Sequence, residues 1–372
     1  MTVLLIEPFF GGSHKQWAQS WQKYSRHDIH LLTLPGRHWK WRMHGGAVAL
    51  ARAWLESDLH PDVVVATDML DLATFLGLTR TRAVGCRILL YFHENQITYP
   101  WSPTDRDVDL RRDNTYGYIN FSSALAADGI AFNSAYHHHS FLEALPGFLR
   151  QFPDHRESQQ VDQLMHKARI LPLALDLRAM DDVAAPPLAT EGIILWNHRW
   201  EYDKNPELFF SWCYRLQDEG IPFRLVVLGE AYGKSPPAFG EARDRLREHI
   251  LHFGYAESRA DYVRWLRQAD ILPVTGIQDF FGGSVVEAMY ANCFPILPNR
   301  LAYPEHLTVQ WHKSCLYESV EEGFSMLRQA LLELDKTRRR TSETSKLVAH
   351  YDWHLRRASY DEWIDNTLQH LA

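Results

Sequence analysis

The chain has 372 residues, 46% hydrophobic and 23% charged, enough for about two domains of ordinary size, which excludes a small disulfide scaffold and a disordered tail. Thirty-nine Lys and Arg against 46 Asp and Glu give a formal net charge of −7, so the whole surface does not coat nucleic acid or anionic membrane, and any nucleic-acid contact must be local. The longest apolar runs, such as residues 63–66 and 88–92, fall far short of the roughly 20 residues of a membrane-spanning helix, and Cys86, Cys213, Cys293 and Cys315 lie too far apart for a C-x-x-C pair, which fits free thiols in a cytoplasmic protein.

Residues 1–7 carry no basic n-region and run into Pro8, so they read as a first strand and not as a signal peptide. Short aliphatic and β-branched runs then alternate with amphipathic stretches, the pattern of βαβ units and parallel sheets. Strands are expected at 3–6, 29–34, 63–67, 88–92, 129–133 and 168–173, with helices at 14–24 and 47–55. Residues 152–163 are polar and read as a surface connection. Pro186 and Pro187, within 181–188, can neither continue a helix nor sit in a central strand, which places the domain boundary there: 1–185 and 186–372. A second set of strands follows at 192–196, 223–228, 250–253, 271–274 and 294–297. Trp353, Leu355, Tyr360, Trp363, Ile364 and Leu368 recur at helical spacing, predicting a terminal helix within 351–371 that can pack back on the first domain. Each strand set suffices for one doubly wound domain, so the fold class is α/β with two Rossmann-like domains.

The most informative stretch, residues 279–289, sets Asp279, Phe281, Gly282, Gly283 and Ser284 ahead of a helix carrying Glu287. Paired glycines let backbone N–H groups approach an anion at a helix N-terminus, and an ionised carboxylate one turn on can accept from a ribose hydroxyl. Alone, the same residues equally describe an ordinary turn with solvated acids. The balance shifts because Arg199 and Lys204 leave the end of the 192–196 strand as an R-x4-K pair, where two cations could clamp a diphosphate. Gly229, Glu230 and Tyr255 sit at neighbouring strand ends, as nucleotide-base contacts.

In the first half, Arg37, Lys40 and Arg42 interleave with Trp39 and Trp41, supplying phosphate contacts and stacking faces for RNA; a solvated loop with one buried tryptophan is the plainer alternative. Gly11 and Gly12 precede Ser13 and His14 at a helix start, which suits a cleft floor or a tight turn. His137, His138 and His139 point in different directions on a helix and read as structural or surface residues and not as a metal site, while Arg338, Arg339 and Arg340 read as a solvated helix end.

At this point the residues resemble a family. R-x4-K followed by D-x7-E is similar to the retaining GT-B glycosyltransferases of the glycogen-synthase-like group, with Asp279 where that group has a glutamate. The stretches Glu7-Pro8-Phe9-Phe10-Gly11-Gly12-Ser13-His14, Arg37-His38-Trp39-Lys40-Trp41-Arg42 and Phe92-His93-Glu94-Asn95-Gln96 resemble the tRNA-queuosine mannosyltransferases, nearly over the whole chain. The resemblance implies a GT-B fold with a deep interdomain cleft, and transfer of mannose from GDP-mannose to queuosine at the tRNA wobble position, with retention and without a metal or other cofactor. It implies that Arg199 and Lys204 hold the leaving diphosphate, aided by Gly282, Gly283 and Ser284, that Phe281 belongs to the donor-binding side, that Glu287 binds ribose, and that Asp279 and His93 face the donor sugar. Gly11, Gly12, Ser13, His14, Arg37, Trp39, Lys40, Arg42, Glu94, Asn95 and Gln96 fall to the acceptor side. Two alternatives remain: the same enzyme class with a lipid, polysaccharide or other nucleoside acceptor, and a non-catalytic module binding tRNA or nucleotide sugar. A nicotinamide dehydrogenase is disfavoured by the missing G-x-G-x-x-G.

Overall fold

The computed structural model describes residues 1–103, 105–110, 114–157, 159–184, 186–229 and 236–366. Continuous apolar runs such as Val63–Thr67 and Gly192–Trp196 make strands buried on both faces, and these lie within two parallel six-stranded sheets whose edge strands are partly exposed. In the first, β1 (Thr2–Phe10), β2 (Asp28–Pro35), β3 (Val63–Thr67), β4 (Arg87–Phe92), β5 (Gly129–Phe132) and β6 (Ala168–Ile170) lie in the order β2-β1-β3-β4-β5-β6. The second comprises β7 (Gly192–Trp196), β8 (Phe223–Leu228), β9 (Ile250–Gly254), β10 (Ile271–Pro273), β11 (Phe294–Pro298) and β12 (Leu316–Tyr317), in the order β12-β11-β10-β7-β8-β9.

These orders locate the ligand-binding edges. In an open doubly wound sheet the crevice opens beyond the carboxyl ends of the two strands where the winding reverses. In the first sheet those strands are β1 and β3; in the second they are β7 and β10. Hence Glu7, His14 and Asp68 gather at one reversal, and Asn197 to Lys204 with Gln278 and Asp279 at the other.

Met1–Leu175 and the segment from Trp353 onward form one compact unit, and Asp176–Asp352 forms the second. The division therefore falls ten residues before the expected 185/186 boundary. Asp181 accepts from Arg267 and from the Tyr290 hydroxyl, and Met180 is buried, so this stretch is part of the second unit despite the prolines that follow. The C-terminal helix, Trp353–Asn366, belongs to the first unit: the Trp17 indole donates to the Tyr360 hydroxyl at 3.1 Å, and that hydroxyl donates to Pro172 O. Leu355, expected on the buried face, is exposed, and Leu368 lies outside the described residues.

Three further differences from the sequence reading have local causes. The second helix spans Trp39–Leu55, not 47–55, because Trp39 and Met43 bury against Tyr116 and Ile119. Gln160–Lys167, partly inside the expected surface connection, is a short helix fixed by buried Val161 and Leu164. The two-residue β12 adds a sixth strand to the second sheet, too short to show in a hydrophobic pattern.

Candidate functional site

At the reversal of the second sheet, β7 ends in Trp196 and the chain enters a loop that closes with the turn Tyr202–Lys204. Asn205 in the left-handed region (φ 53°) stops that turn and caps the next helix through its side chain. Lys204 is thereby fixed. Its ammonium donates to Gln278 O at 2.7 Å and lies 3.0 Å from Asp279 Oδ2 and 3.2 Å from Asp203 Oδ2. Burial opposes the charge of Lys204, but Asp279 and Asp203 outweigh it and raise its pKa. Asp203 is fully buried beside the ammonium, while Asp279 also accepts from the Tyr303 hydroxyl at 3.1 Å. The Arg199 guanidinium is half-exposed, 3.9 Å from Asp203 Oδ2.

Opposite this loop, Gly282 (φ 84°) caps the helix Gly283–Tyr290, a conformation glycine adopts without strain. A Cβ there would also come within 3.3 Å of the Tyr303 ring. The first-turn amides of Gly283 and Ser284 point out of the helix and have no intrahelical acceptor. Glu287, one turn on, is held by Arg259 (2.6 Å) and by the Tyr262 hydroxyl (3.0 Å). The structure thus brings Arg199, Lys204, Asp279, Gly282, Gly283, Ser284 and Glu287 to one sheet end. Gly229 (φ 122°) joins them for a packing reason, since a Cβ would lie 2.3 Å from His198 O. Phe281 departs from its expected role: its ring packs on His306 and Tyr351 and its carbonyl accepts from His306, so it is core. Tyr255 is 68% exposed, and Glu230 lies outside the described residues.

The first unit carries a separate polar cluster at its own reversal. Glu7 is fully buried at the end of β1; its carboxylate accepts from Phe9 N and lies 3.0 Å from His14 Nδ1 and 4.0 Å from His93 Nε2. Burial alone would lower the His14 pKa, but Glu7, with Asp68 and Glu94, carries it up to about 9. His14 is therefore an imidazolium at neutral pH. His93 goes the other way: burial, then the neighbouring His14 and His137, push it well below the ordinary histidine value, leaving a neutral ring with an unpartnered Nε2. Its ring is boxed by Trp17, His14 and Tyr91, with centroids 4.4, 4.3 and 4.9 Å away. Asp68 accepts from His93 N at 2.7 Å, and burial beside Glu94 raises its pKa well above the carboxylate range.

Among the described residues, Glu7, His14 and His93 form the one group whose ligand atoms, within 4.8 Å of one another, could surround a metal. The His14 and His93 rings lie 4.3 Å apart, tilted by 42°, with His14 Nδ1 3.0 Å from Glu7 Oε2.

The other acceptor-side residues divide. Gly12, Ser13 and Arg37 are exposed, and Gly11 supplies a close backbone approach, because a Cβ on Gly36 would meet Gly11 Cα at 2.7 Å. Lys40, expected to face phosphate, is instead paired with Asp105 and Asp107 above the rings of Trp39, Trp101 and Tyr116. Arg42 is buried and donates to Pro35 O. Asn95 is buried too, and its carboxamide oxygen shapes the loop by accepting from Ile97 N and Thr98 N. Glu94 accepts from the Gln96 amide at 2.9 Å. His137 is structural as expected, against Asn133, but Arg338 is no solvated helix end: it binds Asp270 and Ala189 O. Sequence reading passed over Asp68 and Asp203, although each follows or flanks a strand-end motif, and over Arg259, Tyr262 and Tyr303, which carry no local signal.

Comparison with known proteins agrees with this layout. Residues 2–175 match the family described as tRNA-queuosine alpha-mannosyltransferase N-terminal, and residues 182–348 match glycosyl transferases group 1. A tRNA-queuosine alpha-mannosyltransferase of Drosophila melanogaster is 34% identical over 312 residues, 82% of this chain and 81% of that protein. Among solved structures, a glycosyltransferase from Rickettsia africae superposes with a TM-score of 0.69 over 99% of this chain and 98% of that one, at 14% identity. A sucrose-phosphate synthase from Thermosynechococcus elongatus gives 0.71 over the full length of both, at 12% identity. These two share the fold, which is GT-B. The chain is a GT-B glycosyltransferase and belongs to the tRNA-queuosine alpha-mannosyltransferase family.

Proposed function

We propose that this enzyme transfers mannose from GDP-mannose to queuosine in tRNA, with retention of configuration and without a metal. The observation that carries the reading is the second sheet's reversal, where Arg199 and Lys204 face the Gly282-Gly283-Ser284 helix start in a layout suited to a nucleoside diphosphate. Acceptor and sugar follow from the name of the Drosophila relative, and GDP from the family resemblance.

Cleavage of the sugar–phosphate bond places negative charge on the diphosphate and positive charge on the ring. Arg199, Lys204 and the first-turn amides meet the negative charge with fixed donors, the arrangement that lowers such a barrier most, and two cations take the place of magnesium. Asp279 would hold donor hydroxyls and Glu287 the ribose. By the family resemblance His93 would serve the donor sugar, and its ring, kept neutral by burial, can hydrogen-bond a hydroxyl. Such an enzyme works beside tRNA in the cytoplasm; among the described residues no helix is long and apolar enough to cross a membrane.

A panel of GDP-mannose, GDP-fucose, UDP-glucose and UDP-N-acetylglucosamine, each with queuosine-containing tRNA, tests donor and stereochemistry. GDP-mannose alone should release nucleotide in step with adduct, and α-mannosidase should remove the adduct. A preferred UDP-sugar, or an adduct that resists the enzyme, contradicts the reading.

A further inference from the structure

Two residues just ahead of the R-x4-K pair have side chains turned to the glycine-rich helix. Asn197 donates through its amide to Ser284 O at 2.7 Å, and His198 Nδ1 lies 3.0 Å from the Ser284 hydroxyl oxygen. Both side chains are buried, and His198 Nε2 has no partner. The ring is neutral at physiological pH, because burial and the neighbouring Lys204 bring it down to about 4.

A neutral imidazole beside a serine hydroxyl allows two arrangements. If the proton is on Nε2, the serine must donate into the ring, and its oxygen turns lone pairs toward any anion at the helix start. If the proton is on Nδ1, the ring donates to the serine oxygen, and the hydroxyl proton is free to donate to that anion. Only the second makes Ser284 a third kind of donor beside the cations and the backbone amides.

We infer that His198 is a positioning residue that, as its Nδ1–H tautomer, aims the Ser284 hydroxyl at the phosphate oxygens of a bound nucleoside diphosphate, with Asn197 holding the same serine by its carbonyl. This rests on the donor-site reading above and adds the residue that orients the serine. His198 acts through Ser284 and does not touch the nucleotide.

Calorimetric titration with GDP, using full-length wild type, Ser284→Ala, His198→Ala, His198→Asn and the double alanine variant, tests it. Ser284→Ala and His198→Ala should each weaken GDP binding about tenfold, and the double variant about tenfold as well, because one hydrogen bond is lost in all three. His198→Asn, whose amide can reach the Nδ1 position, should recover most of the loss. In nitrogen-15 spectra of wild type, GDP should leave the His198 proton on Nδ1. Additive losses, an unaffected His198→Ala, or an Nε2–H tautomer in the GDP complex would each overturn the inference while leaving the donor site standing. A wild type that binds no GDP would overturn the donor site as well.

Discussion

Replacing Lys204 by alanine is expected to lower kcat for hexose transfer by about 10²- to 10³-fold, the usual effect of removing one fixed donor from a developing anion. The same change takes from Asp203, a carboxylate 1% exposed, the ammonium 3.2 Å away and leaves it the half-exposed Arg199 at 3.9 Å, so the variant should also lose about 3 kcal/mol of stability. A second variant separates the two effects. Lys204→Met combined with Asp203→Asn removes both buried charges and should regain most of the melting temperature, yet remain as inactive as the single change. Activity within tenfold of wild type for Lys204→Ala in folded protein would remove Lys204 from the chemistry.

Alkaline pH is expected to loosen the first unit through one histidine. His14 titrates at about 9 in the folded chain and near 6.5 when unfolded, so folding favours its protonated form. Its contribution, about 3 kcal/mol from the shift, is present in full below pH 6.5 and disappears as pH rises through 9. Thermal melts between pH 7 and 10 should show wild type losing stability steadily, while His14→Gln starts lower and stays flatter, the two curves meeting near pH 10. His93, whose pKa is depressed, costs stability only as pH falls below 6.5 and leaves this window clear. A gap of constant size across the window would show that His14 is not the protonated partner of Glu7.

The parts of the fold and site that the amino-acid sequence displays are those whose physics is local. Central strands buried on both faces are continuous apolar runs and edge strands keep short aliphatic stretches, so eleven of the twelve were expected near their places, and only Leu316–Tyr317 was too short to read. The loops after β7 and β10 are short, which keeps the spacing of Arg199 with Lys204 and of Asp279 with Glu287 visible. What escaped notice depends on partners far along the chain. Lys40 and Trp39 look like RNA contacts until Asp105, Trp101 and Tyr116 close over them. Phe281 reads as a ligand contact until His306 and Tyr351 surround it. Trp17 meets Tyr360 across a separation of 343 residues, which no periodicity announces. The proline pair marks a break in secondary structure, but the unit boundary is set by where Asp181 finds Arg267 and Tyr290.

Purified protein would be incubated with GDP-mannose and either queuosine-containing or queuosine-free tRNA, the RNA digested to nucleosides, and the digest examined by mass spectrometry. A nucleoside heavier than queuosine by one hexose, found only with queuosine-containing tRNA, is the predicted result. Hexose on both RNAs, or on neither while GDP is released, would contradict the account by giving the enzyme a different acceptor.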